Sequence, residues 1–247
     1  MRKAGELIAQ YLREGKLAAN RSEPIGSGAY GVVYNSDIPG NVIKQGYPNS
    51  FENNFVEEAN LQSIAADLGI APKVAAIETF PGDVGNRLEM MDVRTNFEPV
   101  QSDSKNLFPS DRKINIQTAQ QLGHLALKGI RLEDRKADNM VQNKMTGRPM
   151  QLDFGIAGRV EGSEQVATLA MATSEGFESA GLIEEAAIYR ATVMDLLEGG
   201  DVSDAMDVAK QGFSRLQKIK EPVKGPVPSA KTALLEKALF NEIEIPF

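Results

Sequence analysis

Apolar and polar positions alternate in two distinct ways along this chain, and the change of period divides it. Residues about 5–18 carry Leu7, Ile8, Tyr11, Leu12 and Leu17 at helical spacing, which predicts a short amphipathic helix packed on the main body. From Pro24 to Lys44 the period shortens to β-like runs broken by glycine and by the turn Asp37-Ile38-Pro39-Gly40. Residues about 51–68 return to helix, with Leu61, Ile64, Ala65 and Leu68 on one side and Gly69 as a stop. Val74–Phe80 and Arg87–Val93 read as strands around Pro81-Gly82-Asp83, followed by a polar connector over about 94–112.

The second half is mostly helical. A helix is predicted over about 113–128, with Ile114, Ile116, Leu122, Leu125 and Leu127 mostly inward. Two short strands, Asn139–Gln142 and Met150–Leu152, flank a turn. Further helices are predicted over about 180–198, 203–218 and 229–240, with a proline-rich break from Pro222 to Pro228. The pattern predicts an α+β fold of two lobes, β-rich then α-rich, with the boundary near 93–97 and a cleft between them. The corresponding division is a helical extension at 1–21, a first lobe at 22–93 and a second at 94–247.

Composition narrows the function classes. The chain has 247 residues, no cysteine, one histidine and a formal net charge of −7. Disulfides, thiolate metal sites and multi-histidine zinc sites are therefore excluded. An acidic chain lacks the basic face that a duplex nucleic acid calls for, so no nucleic-acid partner is expected. No run approaches the roughly 20 apolar residues of a membrane span. The first residues lack the apolar core of a secretory signal, so no leader is expected.

Several short motifs then point to phosphate chemistry. The run Gly26-Ser27-Gly28-Ala29-Tyr30-Gly31-Val32-Val33-Tyr34 has glycines where backbone N–H groups can approach phosphate oxygens without a Cβ in the way. Taken alone it reads equally as a glycine-rich turn. It is not a Walker loop, for no Gly-Lys-Ser/Thr follows, and not a dinucleotide fingerprint, for Val32-Val33-Tyr34 favours a strand. Lys44 lies between apolar residues, where its ammonium must either snorkel to water or find an anion. Glu57 and Glu58 compete for that role. Glu57 shares a helical face with Leu61 and Ile64 and is preferred, while Glu58 has the better spacing from Phe55. Farther on stand Asp134-Arg135-Lys136-Ala137-Asp138-Asn139 and Leu152-Asp153-Phe154-Gly155.

In this order and spacing the five pieces resemble the protein-kinase superfamily over roughly residues 22–200. The resemblance implies a two-lobed kinase-like fold with a reduced helical C-lobe, using ATP and Mg²⁺. By that resemblance Gly26, Ser27, Gly28 and Gly31 cover the nucleotide, Val33 contacts adenine, and Lys44 reaches the α- and β-phosphates, held by Glu57 or Glu58. Met91 guards the back of the pocket, and backbone groups of Asp92 and Val93 or Arg94 bond the base. Asp134 orients the acceptor hydroxyl, Lys136 compensates charge on the γ-phosphoryl group, and Asn139 and Asp153 hold metal.

The sequence also departs from that family. Leu132-Glu133-Asp134 replaces the usual histidine and arginine before the catalytic aspartate, so control by a phosphorylated activation loop is not expected. No Ala-Pro-Glu follows Gly155, and about 25 residues separate it from the next clear helix, which implies an abbreviated docking platform. These features resemble compact kinases of bacterial effectors and phages. The implied activity is a constitutively competent Ser/Thr protein kinase acting on a protein substrate. It would work in the cytoplasm, or in a host cytosol if delivered there. A small-molecule kinase of the aminoglycoside or choline type and a pseudokinase binding module are the alternatives.

Overall fold

The computed structural model describes residues 24–27, 31–46, 55–78, 87–102 and 109–223. Gly28, the expected helix at 5–18, the turn at Pro81-Gly82-Asp83 and the expected helix at 229–240 lie outside the described residues.

The first lobe is a five-stranded antiparallel sheet in the order β1-β2-β3-β5-β4. Its strands are β1 (Gly26–Ser27), β2 (Gly31–Asn35), β3 (Asn41–Gly46), β4 (Val74–Glu78) and β5 (Arg87–Met91). Helix α1 (Phe55–Asp67) joins β3 to β4. Glu57 and Glu58 in its first turn complement the helix dipole, and Gly69 at φ +72° ends it. Ala59 of α1 packs with Val42, Leu88 and Met90 of the sheet.

Three short strands bridge toward the helical lobe. β6 (Phe97–Pro99) lies within the expected polar connector and pairs with β8 (Met140–Asn143), which pairs with β9 (Pro149–Gln151). A second ladder joins β7 (Ile130–Arg131) to β10 (Gly158–Arg159). Helix α2 (Arg112–Leu127) starts at Asp111, whose carboxylate accepts the backbone N–H of Lys113 at 2.7 Å.

One element departs from the sequence reading. Residues expected to form a 25-residue link after Gly155 instead form helix α3 (Gly162–Ala180), which is the centre of the helical lobe. Val166, Leu169, Ala170, Thr173, Phe177 and Ala180 are its buried stripe. That stripe is helical in period, but its small and hydroxylated residues carry weak apolar contrast. Helices α4 (Ile183–Leu197) and α5 (Val202–Leu216) complete the lobe, and α3 packs against α2, α4 and α5. Gly176 lets Leu216 of α5 close on α3, since a Cβ there would lie 2.5 Å from a Leu216 methyl. Among the described residues no helix is long and apolar enough to cross a membrane.

The α+β, two-lobed arrangement is thus present, with a β-rich first lobe and a reduced helical second lobe. A core of Leu61, Ala65 and Ile70 from the first lobe with Leu122, Leu125, Ile130, Leu132 and Phe154 from the second holds them together. Burial of so much apolar surface in one cluster fixes α1 against the helical lobe.

Candidate active site

The site begins with the register of β3. Lys44 stands opposite Val33 on β2 and Leu88 on β5, so side-chain alternation points Lys44, Val33, Val42, Leu88 and Met90 to one face of the sheet. Gly31 is opposite Gly46, and a Cβ on it would meet the Gln45 carbonyl oxygen at 2.4 Å. Glycine is therefore required there for the two strands to approach. Gly26 and Ser27 pair with Val33 and Val32, which makes the glycine strand the edge of the sheet, beside Val33.

Two carboxylates meet the Lys44 ammonium. Nζ lies 2.7 Å from Glu58 Oε1 and 2.8 Å from Asp153 Oδ1. Glu57, preferred from the sequence, turns outward and pairs with Arg159 at 3.2 Å. The correction is a matter of one residue on a helix, a rotation of about 100°, and the apolar face that selects the inward glutamate is set by α1 packing on the sheet. The inward partner is Glu58.

Burial opposes the charge on Lys44, but the two carboxylates outweigh it and raise its pKa. Burial likewise pushes Glu58 above the ordinary carboxylate range, against the pull of Lys44. Asp153 is also opposed by burial, yet Lys44, the Gly155 N–H and the Lys136 charge bring its pKa below the usual value. One shared lysine thus leaves the more exposed Asp153 as the settled anion.

The second group of residues comes from the loop after β7. Asn139 Nδ2 donates to Asp134 Oδ2 at 2.7 Å and to the Asp134 carbonyl at 3.1 Å. Lys136 Nζ lies 2.9 Å from Asp134 Oδ2, and that hydrogen bond raises the Lys136 pKa. Asn139 closes a single 3₁₀ turn, Ala137–Asn139, and its carbonyl accepts the N–H of Leu152 at 2.8 Å. This bond fastens the Asn139 loop beside Asp153. Phe154 next to Asp153 is fully buried between α1 and α2, which anchors the Asp153 backbone while its side chain stays about one-third exposed. The two groups interact electrostatically through Lys136 and Asp153.

Met91, expected from the sequence to guard the back of the pocket, does not share the face of Lys44. Met91 stands opposite Asn41, on the far face of the sheet, whereas Met90 stands opposite Val42 on the Lys44 face. Met90 is buried with Val42, Ala59 and Leu88. The strand alternation that decides this depends on register, which the sequence does not display. Beyond β5, the Asp92 N–H is taken by the Gly40 carbonyl at 2.8 Å and the Arg94 N–H by Asp92 Oδ1 at 2.9 Å. Neither donor is directed at a ligand. The Val93 carbonyl accepts from Asn96 and Phe97.

Sequence reasoning passed over two contributors. Val42, two residues before Lys44, shares its face and is buried beside Val33; the period of two was the available signal. Arg135 bonds Glu175 of α3 at 2.6 Å and ties the Asp134 loop to the central helix, a contact with no local signature.

Among the described residues no three His, Cys, Asp or Glu side chains gather as a metal cage. One aspartate and one asparagine nevertheless suit Mg²⁺, which keeps several waters and phosphate oxygens as ligands.

No protein-family model matches the sequence, and no curated protein matches it. Among solved structures, the chain is similar to the Cydia pomonella granulovirus kinase PK-1, with 17% identity, 73% of this chain and 74% of that chain covered, and a TM-score of 0.49. It is also similar to a variant of the Mycobacterium tuberculosis PknI kinase domain, with 15% identity, 79% and 94% covered, and a TM-score of 0.48.

Proposed function

We propose that this chain is an ATP- and Mg²⁺-dependent phosphotransferase whose acceptor is a Ser or Thr hydroxyl of a protein. The observation that supports it best is the double contact of Lys44, to Glu58 at 2.7 Å and to Asp153 at 2.8 Å, beside the bonded set Asp134, Lys136 and Asn139. Phosphoryl transfer asks little covalent work of a protein; it asks for in-line positioning and for compensation of several negative charges.

Each residue then has one task. Lys44, held by Glu58, reaches the α- and β-phosphates. Val33, Val42 and Met90 would surround the adenine, and its edge would meet the Met91 carbonyl and the Val93 N–H, since the Met91 N–H goes to Lys73, the Asp92 N–H to Gly40 and the Val93 carbonyl to Asn96 and Phe97. Asp153 and Asn139 would hold a Mg²⁺ ion, which would supply positive charge to offset that of the phosphates. Asp134 accepts the acceptor hydroxyl's proton as its oxygen bonds the γ-phosphorus and the bond to the β-phosphate oxygen breaks, releasing ADP. Lys136, paired with Asp134 at 2.9 Å, would compensate charge on the transferring group. The short link between Gly155 and α3 gives specific support to a second reading, a small-molecule acceptor, since a peptide platform is not built there.

The deciding experiment is incubation with Mg²⁺ and radiolabelled ATP, alone and with cell lysate. Labelled protein supports the first reading. ATP consumption only with an amino-alcohol or aminoglycoside supports the second. Absence of any nucleotide-dependent thermal stabilisation removes both in favour of a binding module.

A further inference from the structure

A cavity of about 680 Å³ opens beside the Asp134 loop, on the helical-lobe side and apart from the Lys44 face. Glu133 and Arg135, the two neighbours of Asp134, both line it, and its walls are the apolar side chains of Leu132, Met171, Val193 and Leu197. The volume falls in the range of real ligand sites. Its exposure follows from chain length. Helix α3 begins at Gly162, and of the residues between it and Gly155, Gly158 and Arg159 are used in the ladder with β7.

The charged groups around the rim pair with one another, save for the Arg131 Nε–H, which is buried and open to a single neutral acceptor such as a peptide carbonyl. Arg131 pairs with both Glu133 and Glu164, and Arg135 pairs with Glu175. A charged determinant entering the groove would have to break one of these pairs, whereas an apolar one only displaces water from Leu132, Met171, Val193 and Leu197. The Asp134 side chain points the other way, to Asn139 and Lys136. An occupant must therefore span from the groove to Asp134, past a single residue of the loop. An extended polypeptide does this, with side chains spaced at about 3.8 Å per Cα step.

We propose that this groove selects the acceptor: a protein segment with a large apolar side chain within two or three residues of the Ser or Thr hydroxyl. The inference rests on the phosphotransferase reading above and adds a substrate class to it. The enzyme's own helices α3 and α4 form the docking surface.

The test uses the full chain with Mg²⁺-ATP and synthetic peptides. Each carries one Thr flanked at positions two and three on both sides by Leu or Phe, by Ala, or by Lys or Glu. The expected result is at least a tenfold higher kcat/KM for the apolar flanks. Leu197, 52% exposed at the mouth, can be changed to Glu without a folding cost. Leu197→Glu should erase the preference through KM and leave basal ATP hydrolysis unchanged. Ala167→Phe, which narrows the groove from α3, should do the same. Equal use of the Ala or charged peptides, a preference that survives both variants, or transfer only to a small amino-alcohol overturns the groove assignment while leaving the phosphotransferase intact. Failure of ATP both to stabilise the chain and to be hydrolysed overturns the phosphotransferase reading itself, and the groove assignment with it.

Discussion

Lys44 on the first-lobe sheet and Asp153, 109 residues later, meet at 2.8 Å, so one side chain from each lobe joins the two. The Asp153 segment is held there by Phe154, buried in one core with Leu61 and Ala65 of α1 and Leu122 and Leu125 of α2, and by the bonds of Gln151 to Ile70 and Leu152 to Asn139. The contact brings together the cation proposed to bind phosphate and the anion proposed to bind metal.

Asp153→Ala is expected to abolish phosphoryl transfer and leave the fold intact, since the carboxylate is partly exposed and Phe154 supplies the anchoring. Removal of a positioned charge costs on the order of 10²–10³ in rate. Radiolabel transfer and a thermal melt on the same sample check both halves, and undiminished activity contradicts the metal assignment.

Glu58→Gln and Glu57→Gln separate the two glutamates. The first removes a buried partner of Lys44 and should lower kcat/KM by at least about tenfold, roughly the effect of one lost charge-assisted bond. The second removes an exposed pair with Arg159, of a kind worth less than about 1 kcal/mol, and should leave both rate and stability near the parent's. Steady-state kinetics of the pair decide.

The acid limb of activity should track Glu58. Its folded pKa lies above the ordinary carboxylate value, so protonation begins at a higher pH than for a free glutamate and loosens Lys44 as pH falls. Asp153 has the opposite sign: its depressed pKa contributes stability that is present above the usual carboxylate range and lost as pH falls through the folded value. The pH–rate profile of Glu58→Gln should therefore lose the higher acid transition and keep the lower one.

Gly123→Ala tests the seam between α2 and α5. A Cβ on Gly123 would lie 2.1 Å from the Phe213 ring, and overpacking of this sort costs about 1–3 kcal/mol. A urea titration should show the midpoint falling with little change in slope. Phe213→Ala, leaving a void in the main core, should cost about 3–5 kcal/mol.

Strong local periods are legible in the sequence alone. Helix α2 was expected at 113–128 and lies at 112–127; α5 was expected at 203–218 and lies at 202–216. Both have wide apolar stripes and aspartate caps at Asp111 and Asp201. Helix α3 escaped notice because its buried face is largely alanine, threonine, serine and glycine, and that face becomes a core only when α2, α4 and α5 close around it. The site divided in the same way. Motif spacing singled out Lys44, Asp134, Asn139 and Asp153, while the choices between Glu57 and Glu58 and between Met91 and Met90 depended on packing and register.

What the residue order determined by itself was which polar groups stand out by their spacing, Lys44, Asp134, Asn139 and Asp153, and the order of β-rich and helical parts, because periodicity and turn residues act over a few positions. Tertiary structure decided which side chain of each neighbouring pair faces the cleft, and that a helix, not a long loop, follows Gly155. Those outcomes turn on contacts between segments up to 109 residues apart, where burial of whole faces outweighs any local preference.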